Sequence, residues 1–335
     1  MIRVFRWDGR HAIWGGPESL PRRDDHLPCV WIDLDNPTSE EEQKVLHDLL
    51  PVHPLTLEDM TRPRRLPDEP PHLPKVEELP DYLFVVVNPL TAHARGSQAS
   101  PAAPLAGQLS SALTRTLLVT HHCMPLSCID ALRLHLEKHP SHAERGPDFL
   151  FHLILDHMVD EYAPLLDEVD DALGSLEEDV FIRPDASLLH RLMGLKRRIV
   201  QVRKTLVHER EVLARMWRGE LRLIEPAESV YYRNVYDHLL RFTELIEASR
   251  ETAMDLMQTL LASQANKLNE VMKVLTMISV TILPMSLIAG VYGMNFEHNV
   301  WPDFKESPTG FLIALMMMAL SGVGAFSLFK WMKWV

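Results

Sequence analysis

Cysteine is scarce: Cys29, Cys123 and Cys128 are the only three in 335 residues. Three cannot staple a large domain, so no structural disulfides are expected and a reducing environment fits. Missing too is a secretory apolar segment, since MIRVFRWDGRHAIWGG opens the chain with basic residues and no continuous hydrophobic run. The first 270 residues are therefore expected to remain in the cytoplasm. Positive charge is in deficit, with a formal net charge of −12. That balance argues against nucleic-acid partners, and its sign suits the collection of cations. No GxxxxGK[ST] phosphate loop occurs, which leaves ATP hydrolysis without support.

The longest absence is of helix breakers. From Ala227 no proline occurs before Pro284 and no glycine before Gly290, which permits one helix of roughly 65 residues, about 100 Å long. It runs into Val274 to Tyr292, nineteen residues without a charge and long enough to cross a bilayer. A second uncharged nineteen, Phe311 to Phe329, follows a polar loop. Pro284 removes one helical hydrogen bond inside the first span, either as a gating hinge or, the preferred reading, as a tolerated membrane proline. Lys267 and Lys273 precede the first span and Lys330 and Lys333 follow the second, while the loop between holds only Lys305. Both termini are thus expected in the cytoplasm, with the protein in the inner (plasma) membrane. Glu297, Asp303 and Glu306 give the external loop a negative potential that would attract cations.

Upstream, residues 1–147 mix short β-branched runs (Cys29 to Leu34, Leu83 to Val87, Thr116 to Thr120) with helical patterns at Ser39 to Leu50 and Ser127 to Lys138, as an α/β domain does. Pro63 to Pro80 and Ala92 to Gly107 read as surface loops. Residues 148–226 read as a helical hairpin broken at Arg183-Pro184-Asp185. Residues 227–292 form the stalk helix and first span (274–292), 293–310 the external loop, 311–329 the second span and 330–335 a basic tail.

Two spans cannot enclose a water-filled path, so a channel must be an oligomer. Steps of three and four from Asn269 give Met272, Thr276, Ser279, Leu283, Ser286 and Gly290, the candidate pore lining. The plainer reading is that this small-residue face lets helices pack closely in lipid, and the two are compatible. Met272 and Leu275 are the candidate hydrophobic gate.

The sequence becomes specific at Lys267 to Asn295, where KLNEVMKVLT, the proline-containing span and YGMNF resemble the CorA family of magnesium and cobalt channels. HPLTLEDM (His53 to Met60), KVE (Lys75 to Glu77), LKRRIVQVRKTL (Leu195 to Leu206) and NVYDH (Asn234 to His238) extend the resemblance over most of the chain. It implies a funnel-shaped homopentamer with a cytoplasmic α/β domain, a long α-helical stalk and two C-terminal transmembrane helices, and transport rather than enzymatic chemistry. It also implies that Gly293 permits a sharp turn, Met294 packs it, and Asn295 places a ring of amide oxygens at the pore mouth. Neutral oxygens hold a hydrated Mg2+ without trapping it. No cofactor is implied beyond the divalent cation itself, Mg2+ first, with Co2+, Ni2+ or Zn2+ as alternatives. A regulatory ion site is implied at Asp156 and the position of Asn234. The family is usually acidic at the latter, so magnesium inhibition is expected to be weak or absent. After Phe296 and Glu297 the chain reads His298-Asn299-Val300-Trp301-Pro302-Asp303 where magnesium members continue toward Met-Pro-Glu-Leu. One loop acid is missing, which keeps open a zinc transporter of the same architecture, proton-coupled in some relatives.

Other clusters read as ordinary. His121, His122, Cys123 and Cys128 match no zinc spacing and follow an apolar strand, so neither a metal site nor a thiol enzyme is expected there. His135 and His139, one turn apart, lack an evident third ligand and read as a solvated helix face. The acidic runs at Glu40 to Glu42 and Glu177 to Asp179 read as solvated helix faces or helix-start preferences. A membrane-anchored scaffold accounts for everything except the Gly-Met-Asn and the polar stripe.

Overall fold

The structure, a computed structural model, describes residues 1–22, 25, 27–65, 69–91, 105–182, 186–294 and 308–334. It divides into two compact units, Met1–Leu256 and Met257–Val335.

The first unit is built on a seven-stranded sheet, β1 (Ile2–Trp7), β2 (Ala12–Gly15), β3 (Cys29–Asp35), β4 (Lys75–Glu78), β5 (Leu83–Val87), β6 (Leu109–Leu113) and β7 (Leu117–His122), in the order β2-β1-β3-β7-β6-β5-β4. Only β3 and β7 are parallel, in register from Val30 opposite Leu117 to Asp35 opposite His122. Strand parity sorts the core. Val30, Ile32, Leu34, Phe84, Val86 and Val119 face one layer with Val45, Leu46 and Met60 of the segment that follows β3. That layer contains α1 (Ser39–Gln43), a π-helical turn (Lys44–Leu49) and α2 (Pro54–Arg65). Thr38 starts α1 with a capping box, its hydroxyl accepting the Glu41 N–H while the Glu41 carboxylate accepts the Thr38 N–H. Cys29, Trp31, Leu83, Val85 and Leu118 have the opposite parity and are buried. Beyond β7 come α3 (Ser127–Lys138), a 3-10 turn (Pro140–Arg145) and α4 (Pro147–Asp160), which packs on β3 and β7. Then follow α5 (Tyr162–Ile182), α6 (Ala186–Trp217) and α7 (Ser229–Gly293).

Three sequence expectations are corrected. Pro63 to Pro80 is not one loop, because α2 runs through Pro63 to Arg65 and β4 occupies Lys75–Glu78. Pro63 cannot donate to the Asp59 carbonyl one turn back, and the buried Gln108 side chain donates to that carbonyl instead, at 2.9 Å. The segment from Asp148 to Gly219 holds three helices rather than a hairpin of two. The missed break is Glu161, ahead of Pro164, which sits in the first turn of α5 where a missing N–H costs nothing. Eleven of the fourteen α4 residues are buried, so α4 belongs to the sheet rather than to a separate hairpin. Glu42 is no solvated acid: it is 4% exposed and bonds Arg64 (2.5 Å) and His121 (3.0 Å). Arg183-Pro184-Asp185 and most of Ala92 to Gly107 lie outside the described residues.

Candidate functional site: the membrane helices and the seat of the stalk

α7 is continuous for 65 residues, through Pro284 to Gly293, so the proline is accommodated without ending the helix. α8 (Pro308–Trp331) is the second apolar helix. Both are long and apolar enough to cross a membrane. Within the second unit α8 lies antiparallel to α7. Gly322 is so close to Met285 that an added Cβ would stand 2.6 Å from the Met285 methyl carbon. Twelve residues on, Trp334 shares a groove of about 570 Å³ with Asn266, Asn269, Glu270, Met272, Lys273 and Thr276. Lys330 and Lys333 therefore sit at the same end of the pair as Lys267 and Lys273, the arrangement that the basic-residue bias requires.

The face that α8 covers is informative. Met277, Thr281, Met285, Ile288 and Tyr292 are half-buried, and they fall on one side of α7 by helical spacing. The stripe read from the sequence falls on the other. Asn269, Ser279, Ser286 and Gly290 are exposed, and Leu283 is 70% exposed. Thr276 is half-buried, its hydroxyl donating to the Met272 carbonyl at 2.8 Å. The gate candidates Met272 and Leu275 are 57% and 54% exposed. Gly293 is the last residue of α7. Met294 is exposed. Asn295, Glu297, Asp303 and Glu306 lie outside the described residues.

The other end of α7 is seated in the first unit by a charged and aromatic clamp. Arg145 makes a bidentate pair with Glu228 (Nη2 to Oε1 and Oε2 at 2.9 and 2.8 Å) and donates to the Tyr231 hydroxyl at 3.1 Å. Its guanidinium lies over the rings of Phe149 (3.9 Å) and Tyr231 (4.4 Å). Buried Tyr232 donates to the Asp148 carbonyl at 2.7 Å, and the Asp148 carboxylate accepts the Glu225 N–H at 2.9 Å. Burial raises the Asp148 carboxyl from its ordinary value, against three backbone N–H groups, those of Glu225, Phe149 and its own residue, that lower it. Sequence reading missed this clamp because its partners are 77 to 86 residues apart and no local pattern joins them.

Asp156 is half-buried on α4, with its carboxyl raised by burial and then by Asp160, while His157 and His238 pull it down. Asn234 lies exposed on α7 one turn before His238, which is 3.8 Å from Asp160. An acidic pair that repel one another is the kind of place where a cation relieves strain. His121 and His122 are structural, as expected. His122 donates from Nδ1 to the Met124 carbonyl (2.6 Å) and faces buried Asp33 at 3.2 Å through Nε2. Burial lowers its pKa, but the bonds to Asp33 and Met124 outweigh that and raise it. The cluster's two thiols are held up by burial, Cys123 to about 11 and Cys128 further still.

An α/β unit whose last helix, α7, runs on into an apolar stretch, followed by the second apolar helix α8, defines an integral membrane protein. The family of CorA-like Mg2+ transporter proteins matches residues 28–330. The chain is 32% identical over 321 residues to the cobalt/magnesium transport protein CorA of Thermotoga maritima, spanning 94% of this chain and 86% of that one. It is 26% identical to the protein of the same name from Methanocaldococcus jannaschii, over 87% and 86% of the two chains. The complete structure of the CorA magnesium transporter from Methanocaldococcus jannaschii superposes with a TM-score of 0.80 at 22% identity, covering 100% of this chain and 99% of that one. Full-length CmaX superposes with a TM-score of 0.73 at 20% identity, covering 99% and 97%. The chain belongs to the CorA-like Mg2+ transporter family and is a divalent-cation transporter of that family.

Proposed function

We propose that the protein is a homopentameric channel for potential-driven influx of divalent cations, Mg2+ first, in a plasma membrane with both termini in the cytoplasm. The observation that carries this reading is the division of α7. α8 covers one face and leaves the opposite stripe, Ser279, Leu283, Ser286 and Gly290, uncovered for neighbouring copies around a pore. Met272 and Leu275 form the cytoplasmic apolar constriction, and Gly293, Met294 and Asn295 form the outer mouth. Glu297, Asp303 and Glu306 concentrate cations before it. At about 2.3 kcal/mol per charge per 100 mV, a divalent ion gains roughly 4.6 kcal/mol on entering a negative interior, about three powers of ten in concentration. No other energy source is required.

Asp156 and the position of Asn234 mark the regulatory ion locus on the cytoplasmic unit. With Asn234 in place of an acid, cytoplasmic Mg2+ binds there weakly and inhibits little. The loop sequence His298 to Asp303, one acid short of the magnesium pattern, favours a second reading in which Zn2+ is carried with protons.

Influx of Mg2+, Co2+ and Zn2+ into proteoliposomes separates these readings. Potential-driven Mg2+ influx that is lost in Asn295→Ala supports the channel. Zn2+ movement only under a proton gradient supports the second reading, and absence of flux for all three ions refutes both.

A further inference from the structure

His135 and His139, which read from the sequence as a solvated helix face, meet a third histidine, His142, in the first unit. His135 and His139 stand one turn apart at the end of α3, and Pro140 ends that helix. The 3-10 turn that follows folds His142 back onto them. The three imidazole centroids are mutually 5.4, 5.0 and 5.5 Å apart, and His135 Nε2 is 2.8 Å from His142 Nδ1. A tetrahedral ion with about 2.1 Å bonds to ring nitrogens holds imidazole centroids roughly 5 Å apart. The centroid spacing is that of a three-histidine ligand set, although the 2.8 Å between His135 Nε2 and His142 Nδ1 is a hydrogen-bond distance, shorter than the roughly 3.4 Å between two nitrogens on one tetrahedral ion.

The surroundings favour this use. His142 packs edge-on against Phe149 (5.8 Å), which is itself fixed under Arg145 (3.9 Å). The Arg145 charge is matched by Glu228, so a cation nearby meets no unbalanced guanidinium. A neutral imidazole is the form that ligates metal. As they stand, the described residues contain no group of three or more His, Cys, Asp or Glu side chains arranged to hold a metal ion. His135 and His142 share a hydrogen bond instead, and His139 is exposed and free to turn about its side-chain torsions.

We propose that His135, His139 and His142 form a binding site for one borderline first-row divalent cation, Zn2+, Co2+ or Ni2+, on the N-terminal unit. Imidazole nitrogen suits these ions and is a poor ligand for Mg2+, which demands oxygen. The site thus tells transition ions from magnesium, whatever the pore carries. Its occupancy is independent of the transport reading, because it is measured at equilibrium.

The test is Co2+ binding to the full-length protein in detergent, with Mg2+ in large excess to fill oxygen sites, read by equilibrium dialysis and by the visible ligand-field absorption of nitrogen-bound Co2+. The wild type is expected to hold one Mg2+-resistant Co2+ per chain. The triple variant His135→Gln/His139→Gln/His142→Gln is expected to hold none. His139→Gln alone, at an exposed position that cannot unfold the domain, weakens binding by at least the roughly 10- to 100-fold that loss of outer-shell partners costs. Absence of Mg2+-resistant Co2+ in the wild type overturns the proposal, as does equal uptake by wild type and His139→Gln.

Discussion

Replacing Glu209 by Gln removes a charge from the interior of the first unit. Glu209 of α6 is 1% exposed; its Oε1 accepts the Asn88 N–H at 3.2 Å and faces the Tyr162 hydroxyl at 3.3 Å, and Oε2 has no hydrogen-bond partner. Burial pushes the carboxyl up from 4.5 to about 8, against the two hydrogen bonds that lower it. Between those values the folded chain keeps a proton that the unfolded chain has lost, so stability falls as pH rises and the penalty is complete above about 8. At about 1.4 kcal/mol per pH unit the ceiling is about 5 kcal/mol, and relaxation around the carboxylate brings the expected penalty to about half of that. Gln keeps the Oε1 acceptor and puts an uncharged amide where Oε2 lacks a partner. Thermal unfolding in detergent, followed by tryptophan fluorescence, should give similar midpoints for both proteins at pH 5. At pH 8.5 Glu209→Gln should be higher by several degrees, at roughly 2–4 °C per kcal/mol for a unit of this size. A pH-independent difference between the two proteins, or a wild type that gains stability from pH 5 to 8.5, refutes the reasoning.

Arg145→Ala strips the counter-charge from Glu228, whose side chain is 5% exposed, and should cost about 2 kcal/mol, below the 3–5 expected of a fully buried pair because Arg145 is 34% exposed. Denaturant midpoints should show Arg145→Ala/Glu228→Gln closer to wild type than Arg145→Ala alone. Gly322→Ala should be tolerated by movement of the flexible Met285 tip, whereas Gly322→Leu should push α8 off α7, visible as loss of the assembled oligomer in size-exclusion chromatography. Asp156→Asn should leave influx at low cytoplasmic Mg2+ unchanged and raise the Mg2+ concentration needed for whatever inhibition remains, measured with Mg2+ preloaded in the vesicles.

The membrane part was legible because it depends on runs: an interval free of glycine and proline gives one helix, and two uncharged nineteens give two spans. The α7 stripe followed from spacing, but which face α8 leaves open required the Gly322 contact. Local rules failed where a distant residue intervened. Pro63 reads as a breaker until Gln108, 45 positions later, supplies the missing donor to Asp59. Glu42 reads as a solvated acid until Arg64 and His121 are brought to it by the packing of α2 and β7. His142 counts as a partner of His135 and His139 only once the 3-10 turn reverses the chain.

Thiol accessibility shows whether the α7 stripe lines the ion path. With Cys29, Cys123 and Cys128 replaced by Ser, Ser286→Cys and Leu287→Cys differ by one step around α7, and both positions are exposed on the single chain. A charged, membrane-impermeant thiol reagent should block Mg2+ influx through Ser286→Cys and leave Leu287→Cys unaffected. Block of Leu287→Cys with Ser286→Cys untouched would put the ion path on another face and contradict the account.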